Sequence, residues 1–269
     1  MAEMLVDAEE TLFVGSPDIW RYSIHPDISI VAAGTQLGNV DPRFSERPEV
    51  DYRRSRLALE LGCTALAIMI PKATDRVLGV DANGLVWGDS QQLPERLIRT
   101  TEVVTDGFIT NTRGVGVMLN AADCASLVLY DPKERVLALP HVGRKGAALG
   151  IAPKTLRLMT EHYGTRPEDV ITHFGPSIAP ESYVMQELRD DLLRPEWQAF
   201  AFPIEDGYKL DVVGFARKQI VDAGVLPENI SAAPVDVASD ERFFSFTRHK
   251  QLDVPNGRNG FAVMINPEN

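Results

Sequence analysis

Cys124 and His141 are the residues of this sequence best suited to chemistry, and each stands at the edge of an apolar run. Cys124 closes Ala121-Ala122-Asp123-Cys124 and precedes the strand-like Ser126–Tyr130, whereas His141 follows Val136–Leu139 and Pro140. A thiolate and an imidazole brought together by paired strands are soft-to-borderline donors suited to zinc. Gly143-Arg144-Lys145-Gly146 comes directly afterwards. Backbone N–H groups opening a helix, with two cations beside them, suit an anion. Each feature also has a bland reading. A cysteine in an apolar strand packs as a small hydrophobe, a histidine at a strand end bonds a loop carbonyl, and glycines simply allow a turn. Two metal donors also fall short of the three that catalytic zinc takes from a protein. His25, His162, His173 and His249 have no spacing that nominates a third.

Two further segments carry weaker signals. Gly175-Pro176-Ser177-Ile178-Ala179-Pro180 is a rigid turn that suits either a pocket wall or a chain reversal. Arg258, within Asn256-Gly257-Arg258-Asn259-Gly260, is a cation in a flexible turn.

The elements that must position these groups follow from apolar periodicity. Strands are expected at Ala65–Ile70, Arg76–Val80, Gly84–Trp87, Gly107–Thr110, Val115–Leu119, Ser126–Tyr130, Val136–Leu139, Val170–Phe174 and Phe261–Ile265. Helices are expected at Val50–Leu61 ahead of Gly62, at Ala147–Tyr163 ahead of Gly164, at Glu187–Leu193 and at Val212–Ala223. In the second of these, Leu149, Ala152, Leu156 and Met159 line one face. Clustered strands with interspersed helices predict a single layered α/β domain.

Composition excludes several classes. The 269 residues, 44% of them apolar, are enough for a large core. With 27 basic and 38 acidic residues the net charge is -11, a field that repels nucleic acid and anionic membrane. The longest apolar run, Ala65 to Ile70, is too short to span a bilayer. The acidic stretch Met1 to Glu10 lacks the basic start of a secretory signal. Two cysteines, Cys63 and Cys124, make no disulfide framework. A cytoplasmic protein fits best.

Five segments in order resemble the YfiH family, also called laccase-domain or multicopper polyphenol oxidase proteins and including the peptidoglycan editing factor. They are Asp106-Gly107-Phe108-Ile109-Thr110, Ala122-Asp123-Cys124, His141-Val142-Gly143-Arg144-Lys145-Gly146, Gly175 to Val184, and Phe243 to Arg248 with Gly257-Arg258. The resemblance implies one laccase-type domain over residues 1–269, with a mixed sheet flanked by helices and about 45 divergent N-terminal residues. It implies a zinc-assisted pocket acting on adenosine, inosine or methylthioadenosine, by phosphorolysis or deamination, with a nucleoside and phosphate as partners. Cys124 and His141 would hold the metal and, with Lys145, act in catalysis, while Arg144, Lys145 and Arg258 would bind substrate or phosphate.

The departures fall on chemical positions. Ala73 stands where the family places the first metal-ligand histidine, and Asp75 is the neighbouring oxygen donor that could replace it. Arg144 and Lys145 replace a Trp-Arg pair, and lysine lacks the bidentate fork of arginine. Thr247-Arg248 replaces an Arg-Arg pair. Three functions follow as alternatives: a purine nucleoside phosphorylase-type transferase, a degenerate paralog that binds a ligand or protein, and a hydrolase on peptidoglycan precursors.

Overall fold

The computed structural model describes residues 18–81, 84–87 and 100–268; the acidic start of the chain lies outside them. Apolar runs with no polar alternation suit strands covered on both faces, and the stretches Ala65–Met69, Ala125–Asp131 and Val136–Val142 are strands buried at every position. In chain order the strands are β1 (Trp20–Tyr22), β2 (Ile28–Ala33), β3 (Ala65–Met69), β4 (Val77–Asp81), β5 (Gly84–Trp87), β6 (Thr100–Val103), β7 (Gly107–Thr110) and β8 (Val115–Ala121). They continue as β9 (Ala125–Asp131), β10 (Val136–Val142), β11 (Ile171–Phe174), β12 (Val184–Met185), β13 (Ala201–Ile204), β14 (Gly207–Leu210), β15 (Ile230–Ala232) and β16 (Asn259–Ile265). The helices are α1 (Arg47–Leu61), α2 (Arg144–Ala148), α3 (Ile151–Tyr163), α4 (Val212–Asp222) and α5 (Phe246–Leu252).

The architecture is α/β, with two mixed sheets stacked face to face. One has six strands in the order β1-β2-β16-β8-β3-β6, and the other seven in the order β15-β11-β9-β10-β7-β4-β5. Ile30, Ala67, Val117 and Val263 of the first pack against Phe108, Val128, Tyr130 and Leu139 of the second. Helix α1 covers the outer face of the six-stranded sheet through Leu57, Ala58 and Leu61. Helices α2, α3 and α4 cover the seven-stranded sheet through Ala147, Leu156, Met159, Phe215 and Ile220. Leu57 is fully buried, so Leu57→Ala would cost about 2–5 kcal/mol through lost transfer energy and a cavity. Strands β12, β14 and β13 form a separate small sheet.

Local chemistry explains where the elements depart from expectation. Helix α1 begins at Arg47, three residues ahead of Val50, because Pro48 is favoured in a first turn where its missing N–H costs nothing. It ends at Gly62, whose φ of 78° is the left-handed cap that glycine adopts without strain. The helix expected over Ala147–Tyr163 is two helices, broken at Gly150 with φ 74°. No α-helix forms over Glu187–Leu193; only Asp190–Leu192 makes a 3-10 turn before Pro195, and Arg194 is extended, as the residue before proline prefers. Strands β1, β2, β6, β12 to β15 and helix α5 had no strong sequence signal. Several of them are only two to four residues long.

Candidate functional site: a thiol, an imidazole and a carboxylate at three strand ends

The ends of β7, β9 and β10 meet at one edge of the seven-stranded sheet. Antiparallel pairing sets His141 opposite Ser126 and Val142 opposite Ala125, so Gly143 falls opposite Cys124, just before β9. On the other side β10 pairs with β7 so that Pro140 faces Gly107, which brings Asp106 beside His141. The backbone seals this join, with the His141 N–H donating to the Asp106 carbonyl at 2.8 Å. Sequence separations of 17 and 35 residues are thus closed by strand register alone.

Asp106 is fully buried, and five donors meet its carboxylate. The N–H groups of Lys72 and Thr74 reach Oδ2 at 3.1 and 2.9 Å, the Thr74 hydroxyl reaches it at 2.6 Å, and the Ala73 N–H reaches Oδ1 at 2.9 Å. His141 Nδ1 lies 3.1 Å from the same Oδ1. A carboxylate only accepts, so Nδ1 carries the proton it donates and Nε2 faces the other way. Burial works against the charged carboxyl, but hydrogen bonds from His141 and Thr74 outweigh it and hold Asp106 down at about 2.

Cys124 Sγ interacts with the imidazole, the two flanking the space over Gly143. Burial opposes a charged ring there, yet the Cys124 sulfur and the Asp106 carboxylate favour imidazolium and push His141 up to about 9. Gly143 makes the contact possible: a Cβ at that position would stand 2.7 Å from Cys124 Sγ and 3.5 Å from His141 Nε2. The turn that carries the thiol is itself held firmly. Asp123 adopts φ 80°, a costly conformation for a residue with a side chain. Its carboxylate accepts from the Ser245 hydroxyl at 2.6 Å and from the Thr247 N–H and hydroxyl, both at 2.8 Å.

Cys124 opens onto a cleft of about 460 Å³, within the range of small-molecule sites. Ile178, Tyr183, Met185 and Phe246 supply apolar and aromatic surface, and Arg189 and Lys250 supply exposed cations. Arg144 also lines the cleft. Its guanidinium, 9% exposed, is paired with Asp191 and touches Tyr183, so it arrives with its charge already engaged. Lys145 is exposed on α2 and does not line the cleft. Arg258 lies beyond the Cys124 turn, its guanidinium 4.5 Å from the Phe44 ring centroid and bonded to Asn256 Oδ1 and the Gly257 carbonyl. Among the expected residues, the structure brings Cys124, His141 and Arg144 together; Lys145 is exposed off the cleft, and Arg258 interacts with Cys124 and Asp123 through charge from the neighbouring loop.

The residues present do not fit the family's zinc. Among the described residues no group of three or more His, Cys, Asp or Glu side chains is placed to hold a metal. Asp106 sits behind the imidazole on Nδ1 and cannot share an ion with Cys124 and Nε2. Ala73 contributes only its backbone N–H. Asp75 is drawn to α3, where Lys154 Nζ donates to it at 2.7 Å.

The sequence model described as multi-copper polyphenol oxidoreductase laccase matches residues 39–266. The chain belongs to this family. Purine nucleoside phosphorylase YlmD of Bacillus subtilis (strain 168) is 29% identical over 166 residues, 58% of this chain and 58% of that protein. Human purine nucleoside phosphorylase LACC1 is 31% identical over 152 residues, 53% of this chain and 35% of that protein. The chain therefore spans little more than half of the first relative and about a third of the second. The crystal structure of YlmD from Geobacillus stearothermophilus has the same fold, with a TM-score of 0.77 at 22% identity over 96% of this chain and 99% of that one. Among the described residues no helix is long and apolar enough to cross a membrane.

In the sequence Asp106, Asp123 and Tyr183 stand only within motif segments, and Thr247 only as a departure from an Arg-Arg pair. Asp106 precedes a strand as Cys124 does, a shared position that marks a sheet edge once the register is known. Arg189 and Lys250 carried no signal, because only the packing of a loop and of α5 brings them to the cleft.

Proposed function

We propose that this chain is a purine nucleoside phosphorylase-type enzyme that works in the cleft over Cys124. The observation that carries this is the Cys124–His141–Asp106 cluster at the foot of a 460 Å³ cleft with both aromatic and cationic walls. Two relatives named as purine nucleoside phosphorylases add support. A purine would stack on Tyr183 or Phe246, faces large and flat enough for a base. Phosphate would sit near Arg189 and Lys250, cations without which a chain of net charge -11 would repel it.

Phosphorolysis joins a phosphate oxygen to C1′ and breaks the bond to the base nitrogen, and the departing base needs a proton. The Cys124–His141 pair supplies one. The imidazole, at about 9, is protonated at neutral pH, and the thiol stands between it and the cleft. Asp106 keeps the ring oriented and compensates its charge.

Binding without turnover is the second reading, favoured by Ala73 and by the Arg144–Asp191 ion pair, which remove a donor and engage a cation. Release of free base from adenosine, inosine and methylthioadenosine, with and without phosphate, separates the two. Phosphate-dependent release that disappears in Cys124→Ala establishes the enzyme. Nucleoside binding with no release in either protein establishes the binder.

A further inference from the structure

We propose that Cys124, His141 and Asp106 form a metal-independent nucleophilic thiol site, with Cys124 Sγ as the attacking atom, His141 Nε2 as its base and Asp106 as the positioning residue. This goes beyond the nucleoside assignment and needs no nucleoside for its test.

A nucleophilic thiol needs a base in contact, a group that orients the base, and an open approach for the electrophile. Cys124 Sγ and His141 Nε2 flank the same space over Gly143, and Asp106 Oδ1 holds Nδ1 at 3.1 Å, leaving Nε2 for the thiol proton. Cys124 is partly exposed and lines the cleft, so a ligand meets the sulfur first. The strained φ of 80° at Asp123 fixes the turn before the thiol, as backbone strain does at other reactive sites. Gly143 leaves the space in which sulfur and imidazole meet. The donor set points the same way: among the described residues no third His, Cys, Asp or Glu side chain joins Sγ and Nε2 in a group placed to hold a metal. Cys63 is the natural contrast, since its thiol donates to the Ala58 carbonyl at 3.5 Å and packs on the α1 core.

The ligand class is a carbon electrophile bearing a heteroatom leaving group. With the proton of the thiol held on His141 Nε2, Sγ bonds to the carbon. The leaving group departs with the electrons of the broken bond and takes the proton back from His141. With iodoacetamide as the probe, iodide leaves and the proton is released from His141 to solvent.

The test uses the full chain after chelator treatment. Alkylation by iodoacetamide at pH 7 is followed by peptide mass mapping of Cys124 and Cys63, beside zinc content and zinc titration. Cys124 should react at least tenfold faster than Cys63. It should slow at least tenfold in His141→Asn, and neither chelator nor added zinc should change its rate in the unsubstituted chain. Ala73→His supplies a gain-of-function control. Histidine tolerates the φ of 57° found there better than most side chains, and this variant should take up zinc and lose Cys124 reactivity. Circular dichroism confirms that each variant is folded. Stoichiometric zinc that shields Cys124 in the unsubstituted chain would overturn the proposal. So would an unchanged Cys124 rate in folded His141→Asn. Failure of nucleoside turnover alone would bear on the phosphorylase assignment and leave this result standing.

Discussion

Gly143→Ala is the substitution that most cleanly separates the chemistry from the fold. Gly143 has φ -98° and ψ 171°, an extended backbone that alanine adopts freely. A Cβ would come 2.7 Å from Cys124 Sγ, 3.5 Å from His141 Nε2 and 3.6 Å from Cys124 Cβ, so it enters the gap between thiol and imidazole. Ordinary contact begins near 3.4 Å, and the sulfur must retreat by several tenths of an ångström or turn to another rotamer. Overpacking of this kind costs about 1–3 kcal/mol, at the low end here because the sulfur borders an open cleft. The functional loss is larger, since a misplacement approaching 1 Å costs on the order of 10²-fold in a positioned reaction. Paired thermal unfolding and Cys124 alkylation rates measure both effects. The expected result is a modest drop in Tm with a roughly hundredfold fall in Cys124 reactivity. An unchanged alkylation rate in the folded variant would refute the claim that sulfur and imidazole act through direct contact.

Other consequences follow from the same contacts. Burial and the Cys124 and Asp106 neighbours set His141 at about 9 against an ordinary 6.5, so its contribution is complete below pH 6.5 and is lost as pH rises through 9. The stability gap between the unsubstituted chain and His141→Asn should therefore shrink by roughly 3 kcal/mol from pH 6 to pH 10 in urea unfolding; a flat gap would contradict the assignment. Asp106 is shifted the opposite way, from 3.8 to about 2, and its roughly 2 kcal/mol is present above pH 3.8 and lost as pH falls through 2. Asp106→Asn should lower the His141 titration midpoint seen by NMR. Asp123→Ala removes three hydrogen bonds and leaves a φ of 80° without the local bonding that favours aspartate there. A loss of about 2–4 kcal/mol in Tm-derived stability is expected, with Asp123→Asn intermediate. Arg144→Ala should leave the alkylation rate of Cys124 within about threefold, because the guanidinium is occupied by Asp191 and does not touch the thiol–imidazole contact.

Much of this site could be read in the sequence because strand ends are local features. Apolar runs located β9 and β10, and Cys124 and His141 therefore stood at their edges before any pairing was known. What pairs with what is not local: only the β7–β10 register puts Asp106 on His141 Nδ1. The apolar stretches also gave no sign that two sheets stack, since a strand buried between sheets and one buried under helices look alike in sequence. The Gly143-Arg144-Lys145-Gly146 turn suggested an anion site from its two cations. In the fold it becomes α2, which buries Arg144 against Asp191 and turns Lys145 to solvent. Gly150 hid the helix break, because isolated glycines also occur inside helices.

Phosphate-dependent release of free base from adenosine or inosine, measured on chelator-treated protein beside His141→Asn, tests the account most directly. The account predicts turnover that requires phosphate, survives the chelator and is lost in the variant. Turnover that ceases on chelation and returns only with added zinc would contradict it.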